Sequence, residues 1–374
     1  MAAVSCWLTT FANMTRSGWI SAVLARLMAL SGLAPRSCVT IAWVWGGACE
    51  QGWSPNMSCL TVSIVNYKTA QLVVECVDSL KRFAPLRARL DIVVVDNASQ
   101  DGSLSVIAQA HPDVRLIDAG ANLGFAGGNN LALRACRSDY VLLLNSDALV
   151  EAGTLDGLLQ ALEQNPQVGV VSPRVVNADD GADQDYPSRF PSLPEMFRRA
   201  WHGPQYPAAG HTEPLALERL HGACMLLRGE LLGNVGLLDD GFFMYDEDVD
   251  WCVRARSKGW QLWLLPQLRV LHHGGKSSGR APSGRRAQLE LSSTALRMRY
   301  ELRRSRYRLY RKHRSIAELL LLKGLTDLAM LFASLRLLLR CIRPQQRPAA
   351  LALLRANLQV MALNPFVKVD RHGA

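Results

Sequence analysis

The sequence predicts an α/β domain built on a mostly parallel central sheet flanked by helices, followed by a helical tail. Three observations carry this. Short β-branched runs alternate with helical stretches of about ten residues between 60 and 173, the pattern of βαβ units. Three of those runs end in polar residues, at the edge where an open sheet binds its ligands. The charge is also divided. Residues 281–374 hold 19 Lys+Arg against 5 Asp+Glu, a net of +14, so residues 1–280 carry −4 of the total +10.

Residues 1–56 precede this pattern. They hold an apolar stretch broken by Arg26 (19–33) and a shorter one (39–45). Neither reaches the length of a membrane span, and their order is not that of a signal peptide. We expect the folded chain to start at Met57, with 1–56 a non-native or disordered leader. A short membrane-associating leader is the alternative.

The elements follow in order. "LTVSIVN" (60–66) is a continuous β-branched run, as in a strand buried on both faces. A helix follows over about 70–83, then a strand at "LDIVVVDN" (90–97). "SQDGSLSVIAQA" supplies a helix with Ser99 or Asp101 as N-cap. "VRLIDA" (114–119) is a third strand, and "GFAGGNNLALRAC" a loop entering a helix. "DYVLLLNSD" (139–147), "TLDGLLQALEQN" (154–165) and "QVGVVSP" (167–173) read as strand, helix and strand. Residues 177–219, rich in Asp, Gly and Pro, read as a long irregular connection. "LHGACMLLRGELL" (220–232) returns to strand and helix. "WQLWLLPQLRVLHHGGKSSG" (260–279) reads as a strand pair ending in a loop.

The tail carries "RMRYELRRSRYRLYRKHR" (297–314), with nine basic residues and with Tyr300, Tyr307 and Tyr310 on one helical face. The apolar stretch 316–342 is interrupted by Lys323, Asp327, Arg336 and Arg340, which argues against a simple span. A basic helix beside an apolar one fits an interfacial membrane contact. A helix covering the core is the plain alternative. Nucleic-acid binding through phosphates is a third reading, but nothing nearby reads bases. Nine cysteines without a C-x-x-C pair suggest free thiols.

Candidate site residues lie at the strand ends: Asn66-Tyr67, Asp96-Asn97 and Asn145-Ser146-Asp147. Each alone is also a common turn; three in one sheet point to a shared pocket. "NLGFAGGNN" (122–130) contains Gly124, Gly127 and Gly128. It matches neither G-x-G-x-x-G nor a P-loop. It suits a phosphate or sugar, or is a tight turn with a helix cap. "FFMYDEDVDWCVRARSKGW" (242–260) crowds Asp246, Glu247, Asp248 and Asp250 between apolar residues. These are helix-capping acids, on a helix from near Asp248 to Gly259, or they include a general base held partly out of water.

With "SIVNYKT", "VVDNASQDGS", "NLGFAGGNN", "LLLNSDA", "FFMYDEDVDWCVR" and "LHHGGKSSG" in this order over 61–279, the chain resembles the family 2 inverting glycosyltransferases of the A-type nucleotide-sugar (GT-A) fold, in their rhamnosyltransferase-like branch. The resemblance implies a donor pocket of Asn66, Tyr67, Asp96, Asn97, Asn122, Gly124, Asn130, Asn145, Ser146 and Asp147, with Asp96 taking a hydrogen bond from the base. Asn145-Ser146-Asp147 stands where such enzymes often have Asp-x-Asp. Asp147 is then the main carboxylate for a divalent metal, Mg2+ or Mn2+. His272 is implied as a second metal ligand or diphosphate contact, with His273 as the alternative. Asp248 is implied as catalytic base, with Glu247 orienting it or the acceptor, and Gly222 and Ala223 bordering the acceptor site. Asp250 is expected to be structural and Asp246 solvated. Arg254 is either a surface salt bridge or a diphosphate contact, and Trp251 and Trp260 are core residues.

The implied function is transfer of a sugar, L-rhamnose from dTDP-rhamnose or another residue from a dTDP- or UDP-sugar, to a lipid-linked or cell-surface glycan acceptor. This is metal-dependent hexosyl transfer in cell wall or polysaccharide biosynthesis. Residues 57–280 would form the catalytic domain and 281–374 a membrane-associating tail. The expected location is peripheral, at the cytoplasmic face of the inner (plasma) membrane, without nucleic acid. The alternative is an inactive relative acting as a membrane-associated assembly partner; Asp147 and Asp248, both present, speak for the enzyme.

Overall fold

In the computed structural model, which describes residues 57–134, 136–184, 188–274 and 293–367, strands β1 (Ser58–Asn66), β2 (Ala88–Asp96), β3 (Arg115–Asp118) and β4 (Tyr140–Asn145) run parallel to one another. The expected leader 1–56 and the expected boundary at 280 lie outside the described residues. β8 (Cys224–Arg228) then enters antiparallel between β4 and β6 (Val168–Asn177). β9 (Gln261–His272) lies parallel to β6. The short β5 (Ala148–Val150) and β7 (Leu215–Ala216) pair antiparallel with β9. The order is β3-β2-β1-β4-β8-β6-β9-β5. Six strands share one direction and β5, β7 and β8 oppose it, so the sheet is mixed but mostly parallel, as expected.

Helices cover both faces. α1 (Ala70–Arg82) buries Val73, Cys76, Val77 and Leu80, one stripe at helical spacing. It packs with α2 (Ser103–Ala110) and α4 (Thr154–Gln164) over Leu60, Val62 and Ile64 of β1. α3 (Gly124–Arg134) and α7 (Glu247–Ser257) lie on the opposite face, where Trp251, Cys252 and Ala255 meet Val141, Leu143, Met225 and Leu227. Burying each such side chain stabilises the fold by about 1.5–3 kcal/mol. The α6 turn (Leu231–Asn234) follows β8.

Two expectations need correction. The connection 177–219 is not wholly irregular: it holds β7 and α5 (Leu193–His202), whose N-cap Ser192 accepts a hydrogen bond from the Glu195 N–H. The Ser-x-x-Glu spacing was a readable cap signal. The stretch 260–279 is not a strand pair. β9 is one twelve-residue strand, and its pairing with β6 skips from Leu265 to Arg269. Pro266, which cannot donate to the ladder, falls inside that bulge. The tail is helical as expected, with α8 (Ser293–His313), α9 (Ile316–Cys341) and α10 (Arg347–Met361).

The tail is not set apart from the catalytic fold. The described tail helices belong to the same compact unit as the sheet. Tyr307, Leu309 and Tyr310 of α8 and Leu319 and Leu322 of α9 share a core with Phe190, Leu193, Phe242 and Val249. The Tyr310 hydroxyl donates to the Pro191 carbonyl at 2.7 Å.

Candidate active site

The ends of β1, β2, β4 and β9 and the start of the antiparallel β8 meet at one edge of the sheet, and the first turn of α7 is tied to it. On the donor side, Asn66 donates to Asp96 at 2.6 Å and to Ser99 at 3.1 Å. Its carbonyl oxygen accepts from the Thr69 N–H and hydroxyl. Asp96 also accepts from the Ser99 hydroxyl and N–H. Three of roughly four acceptor positions on that carboxylate are thus filled. Ser146 accepts from Thr69 at 3.2 Å. Tyr67 is partly exposed, with the Lys68 ammonium 5.5 Å from its ring centre.

The glycine loop works differently from the expectation. Gly124 has φ +73°, and a Cβ there would lie 2.0 Å from the Phe243 carbonyl oxygen. Phe125 N–H donates to that same oxygen at 2.8 Å. Asn97 grips the loop by donating to Gly124 O and accepting from Leu123 N–H, and Asn122 accepts from Gly124 N–H. Gly124 therefore lets the start of α3 pack against the irregular segment carrying Phe243. Asn130 has a structural task too: its amide donates to Leu238 O and accepts from Leu238 N–H, and it is buried.

Asp147 and His272 form a polar corner, with Nε2 3.2 Å from Oδ1. Gln184 fixes the imidazole. Its amide nitrogen donates to the His272 carbonyl at 2.6 Å, so its oxygen must be the atom 2.8 Å from Nδ1. Nδ1 therefore carries a proton. Nε2 also lies 3.1 Å from the Asn145 amide nitrogen. With Nδ1 protonated, Nε2 can accept from the Asn145 amide, or its lone pair can turn to a cation shared with Asp147. The other Asp147 oxygen, Oδ2, is buried without a partner. Burial opposes the charge on Asp147, yet His272 beside it holds the carboxyl below its usual range. One carboxylate and one imidazole whose tautomer is held by an outer partner suit a divalent cation. Among the described residues no cluster of three or more His, Cys, Asp or Glu could hold a metal, so phosphate or water would have to complete its shell. His273 is turned elsewhere, its Nδ1 3.7 Å from Asp179.

The loop 221–223 links this corner to the acidic turn. The His221 ring stands edge-on to His272 with centres 5.8 Å apart. Gly222 N–H donates to Asp248 at 3.2 Å, and Ala223 O accepts from Asn145 N–H at 2.9 Å. His221 Nδ1 accepts from Ala223 N–H at 3.0 Å. Burial, then the neighbouring His272, pushes His221 down to about 3. It is a neutral imidazole with its proton on Nε2.

Asp248 also accepts from Val249 N–H at 2.8 Å and lies 3.6 Å from Arg219. Burial raises its carboxyl, with Arg219 pulling the other way. Glu247 is raised well above its usual range by burial and by the charge on Asp248, and its Oε2 has no partner. Arg219 and two N–H donors favour the charged form of Asp248, while burial and the charge on Asp248 oppose ionisation of Glu247. Arg219 and Gln184 were missed in the sequence. Only proximity in the fold distinguishes them from other polar loop residues.

Asp246 is not solvated. It is 5% exposed and accepts both arms of Arg306, at 2.6 and 3.0 Å. Asp250, fully buried, is paired with Arg254, Lys312 and His313, a structural role as expected. Arg254 also donates to the Val235 and Leu237 carbonyls, so it is the salt bridge of the two readings. Trp251 and Trp260 are core residues.

Residues 61–253 match the family model "Glycosyl transferase family 2". The chain belongs to this glycosyltransferase family. Its rhamnosyltransferase-like relatives include the N-acetylglucosaminyl-diphospho-decaprenol L-rhamnosyltransferase of Mycobacterium tuberculosis, 32% identical over 218 residues, 52% of this chain and 70% of that protein. Rhamnosyltransferase WbbL of Escherichia coli K12 is 27% identical over 194 residues, 49% of this chain and 72% of that protein. Among solved structures, the mannosyltransferase PcManGT of Pyrobaculum calidifontis in complex with GDP-Man and Mn2+ aligns at TM-score 0.44 and 20% identity, over 82% of this chain and 88% of its own. The family 2 glycosyltransferase described here carries the expected GT-A type sheet, with its candidate carboxylates at the expected edge.

Proposed function

We propose that this glycosyltransferase transfers a hexosyl group with inversion, from a nucleotide-sugar to a lipid-linked glycan, in a metal-dependent reaction. The observation that carries the reading is Asp248, held by the Gly222 and Val249 N–H groups and by Arg219, at the same edge as the Asp147–His272 corner. Asp248 takes the proton of the acceptor hydroxyl as its oxygen attacks the anomeric carbon. The bond from that carbon to the diphosphate oxygen breaks, and its electron pair leaves with the nucleoside diphosphate. Asp147 and His272 would hold Mg2+ or Mn2+, which supplies charge neutralisation for the leaving diphosphate. Glu247, whose ionisation burial opposes, orients the acceptor or Asp248. His221 Nε2–H is a further donor at the same edge. The names of the two rhamnosyltransferase relatives support dTDP-L-rhamnose as donor and a polyprenyl-diphosphate-linked sugar as acceptor.

The same reading places the enzyme peripherally on the cytoplasmic face of the inner membrane. Among the described residues no helix is long and apolar enough to cross a membrane. Leu320, Leu328, Leu331, Leu335, Leu338 and Ile342 are nevertheless all exposed and fall along one uncharged face of α9. Arg336, Arg340 and Arg343 border it. An apolar face edged by arginines suits lying in the headgroup plane of an anionic bilayer.

The test is nucleoside diphosphate release from a panel of dTDP-, UDP- and GDP-sugars, with Mg2+ or Mn2+ and a lipid-linked acceptor. Release from one donor, lost in Asp248→Asn and on chelation, supports the reading; release that survives both sinks it. Flotation with phosphatidylglycerol vesicles tests the location. Each of Arg336→Gln, Arg340→Gln and Arg343→Gln should weaken binding about fivefold, and equal binding to neutral vesicles would count against it.

A further inference from the structure

We propose that Arg306 is a positioning residue for the catalytic turn, and that α8 acts as a strap whose basic face sets the place of Asp248. The inference rests on Asp248 being the base.

Tyr245 and Asp246 both take left-handed backbone conformations, with φ of 69° and 64°. Two consecutive non-glycine residues in that region persist only when their surroundings hold them there. They immediately precede Glu247 and Asp248, so their conformation decides where α7 starts and where its first carboxylates point. Asp246 O accepts the Asp250 N–H at 2.9 Å, closing that first turn.

What holds them comes from α8. Ser305 donates to the Met244 carbonyl at 2.8 Å. Arg306 clasps Asp246 with both arms, and its remaining hydrogen bond goes to Met196. Arg308 and Lys312 pair with Asp239, while Lys312 and His313 pair with Asp250. A Cβ on Gly241 would fall 2.1 Å from the Arg308 guanidinium carbon, so this loop is shaped around an arginine. Anchors therefore lie on both sides of Glu247-Asp248, while the hydrogen bonds to Asp248 come from Gly222 and Val249. The planar guanidinium matters, because two parallel bonds fix the orientation of a carboxylate where a lysine would fix only its charge.

A misplacement of about 1 Å in a reacting group costs roughly a hundredfold in rate. Arg306→Ala should therefore lower kcat about a hundredfold while donor KM stays within a few-fold, since β1, β2 and β4 frame the donor side. Asp246→Asn should do the same, and the double variant should be no worse than either single one. Guanidinium ion should restore part of the kcat of Arg306→Ala, a response that general loosening of the fold would not give. If Arg306→Ala fails to fold, Arg306→Lys decides: lowered kcat at constant KM supports the proposal, and unchanged kcat overturns it. Full kcat in a folded Arg306→Ala, alongside an inactive Asp248→Asn, overturns the strap and leaves the base in place. An active Asp248→Asn instead overturns the reading on which the strap depends.

Discussion

His272 faces Asp147 at 3.2 Å while Gln184 holds the imidazole from behind by both its Nδ1 and its backbone carbonyl. The corner is oriented before any ligand arrives, and outer partners of this kind typically govern metal affinity by 10–100-fold. Gln184→Leu should raise the metal concentration needed for half-maximal activity by about that factor, with kcat at saturating metal kept. Asp147→Asn should abolish turnover at any metal concentration. Titration of nucleoside diphosphate release against Mn2+ distinguishes the two.

Asp248→Asn should cost about 10²–10⁴ in kcat and still make the protein more heat-resistant at pH 8. The sign follows from burial. A carboxyl raised in the folded state is penalised when ionised, so its destabilising effect is complete above the folded pKa and is relieved as pH falls. Each ~1 kcal/mol recovered raises Tm by about 2–4 °C. Arg219→Met should move the acid limb of kcat to higher pH, because Arg219 favours the charged form of Asp248. Paired thermal scans and pH–rate profiles check both.

Acid should loosen α8. Burial works against the charge on Asp239 and Asp250. Arg308 and Lys312 nonetheless hold Asp239 below the ordinary carboxylate range, and His313 and Lys312 do so for Asp250. A depressed carboxyl gives stability that is complete above its unfolded pKa of about 4 and is lost as pH falls through the folded value. Tm should therefore drop between about pH 4 and 2, and Asp239→Asn should lower Tm at pH 7 while flattening that decline.

Two glycines should separate fold from function. Gly124→Ala places a Cβ 2.0 Å from the Phe243 backbone at a φ of +73°, and backbone cannot yield as a side chain does. Loss of soluble, folded protein is expected. Gly222→Ala meets the Asp248 side chain instead, its carboxylate oxygen at 3.1 Å. It should fold normally and lose activity, which circular dichroism and an activity assay together reveal.

The sheet was readable because β1, β2 and β4 are runs of β-branched and leucine residues with polar ends. The acidic turn was readable because four carboxylates between aromatics demand a reason. What could not be read was which charges meet. The basic face of 297–314 looked free for a membrane, since nothing local shows that Arg306 lies against Asp246, sixty positions earlier. Arg308 and Lys312 are likewise spent on Asp239. Asn130 looked like a ligand residue for the same reason: its partner, Leu238 backbone, is distant in sequence. The bulge at Pro266 misled because proline usually ends a strand, and here β9 carries it within a shifted register.

β6 leaves the sheet at the catalytic edge after Asn177, and β8, its antiparallel neighbour, re-enters at that same edge with Cys224. The described residues between, including α5, Arg219 and His221, form one excursion from that edge, which touches the sheet again where β7 pairs with β9. Lengthening a loop costs little, about 0.6 kcal/mol per doubling. An insertion at the exposed turn 209–214, between α5 and β7, would leave Phe190, Leu193 and β7 in place, so this part of the excursion can change in length while the core and the sheet edge stay as they are.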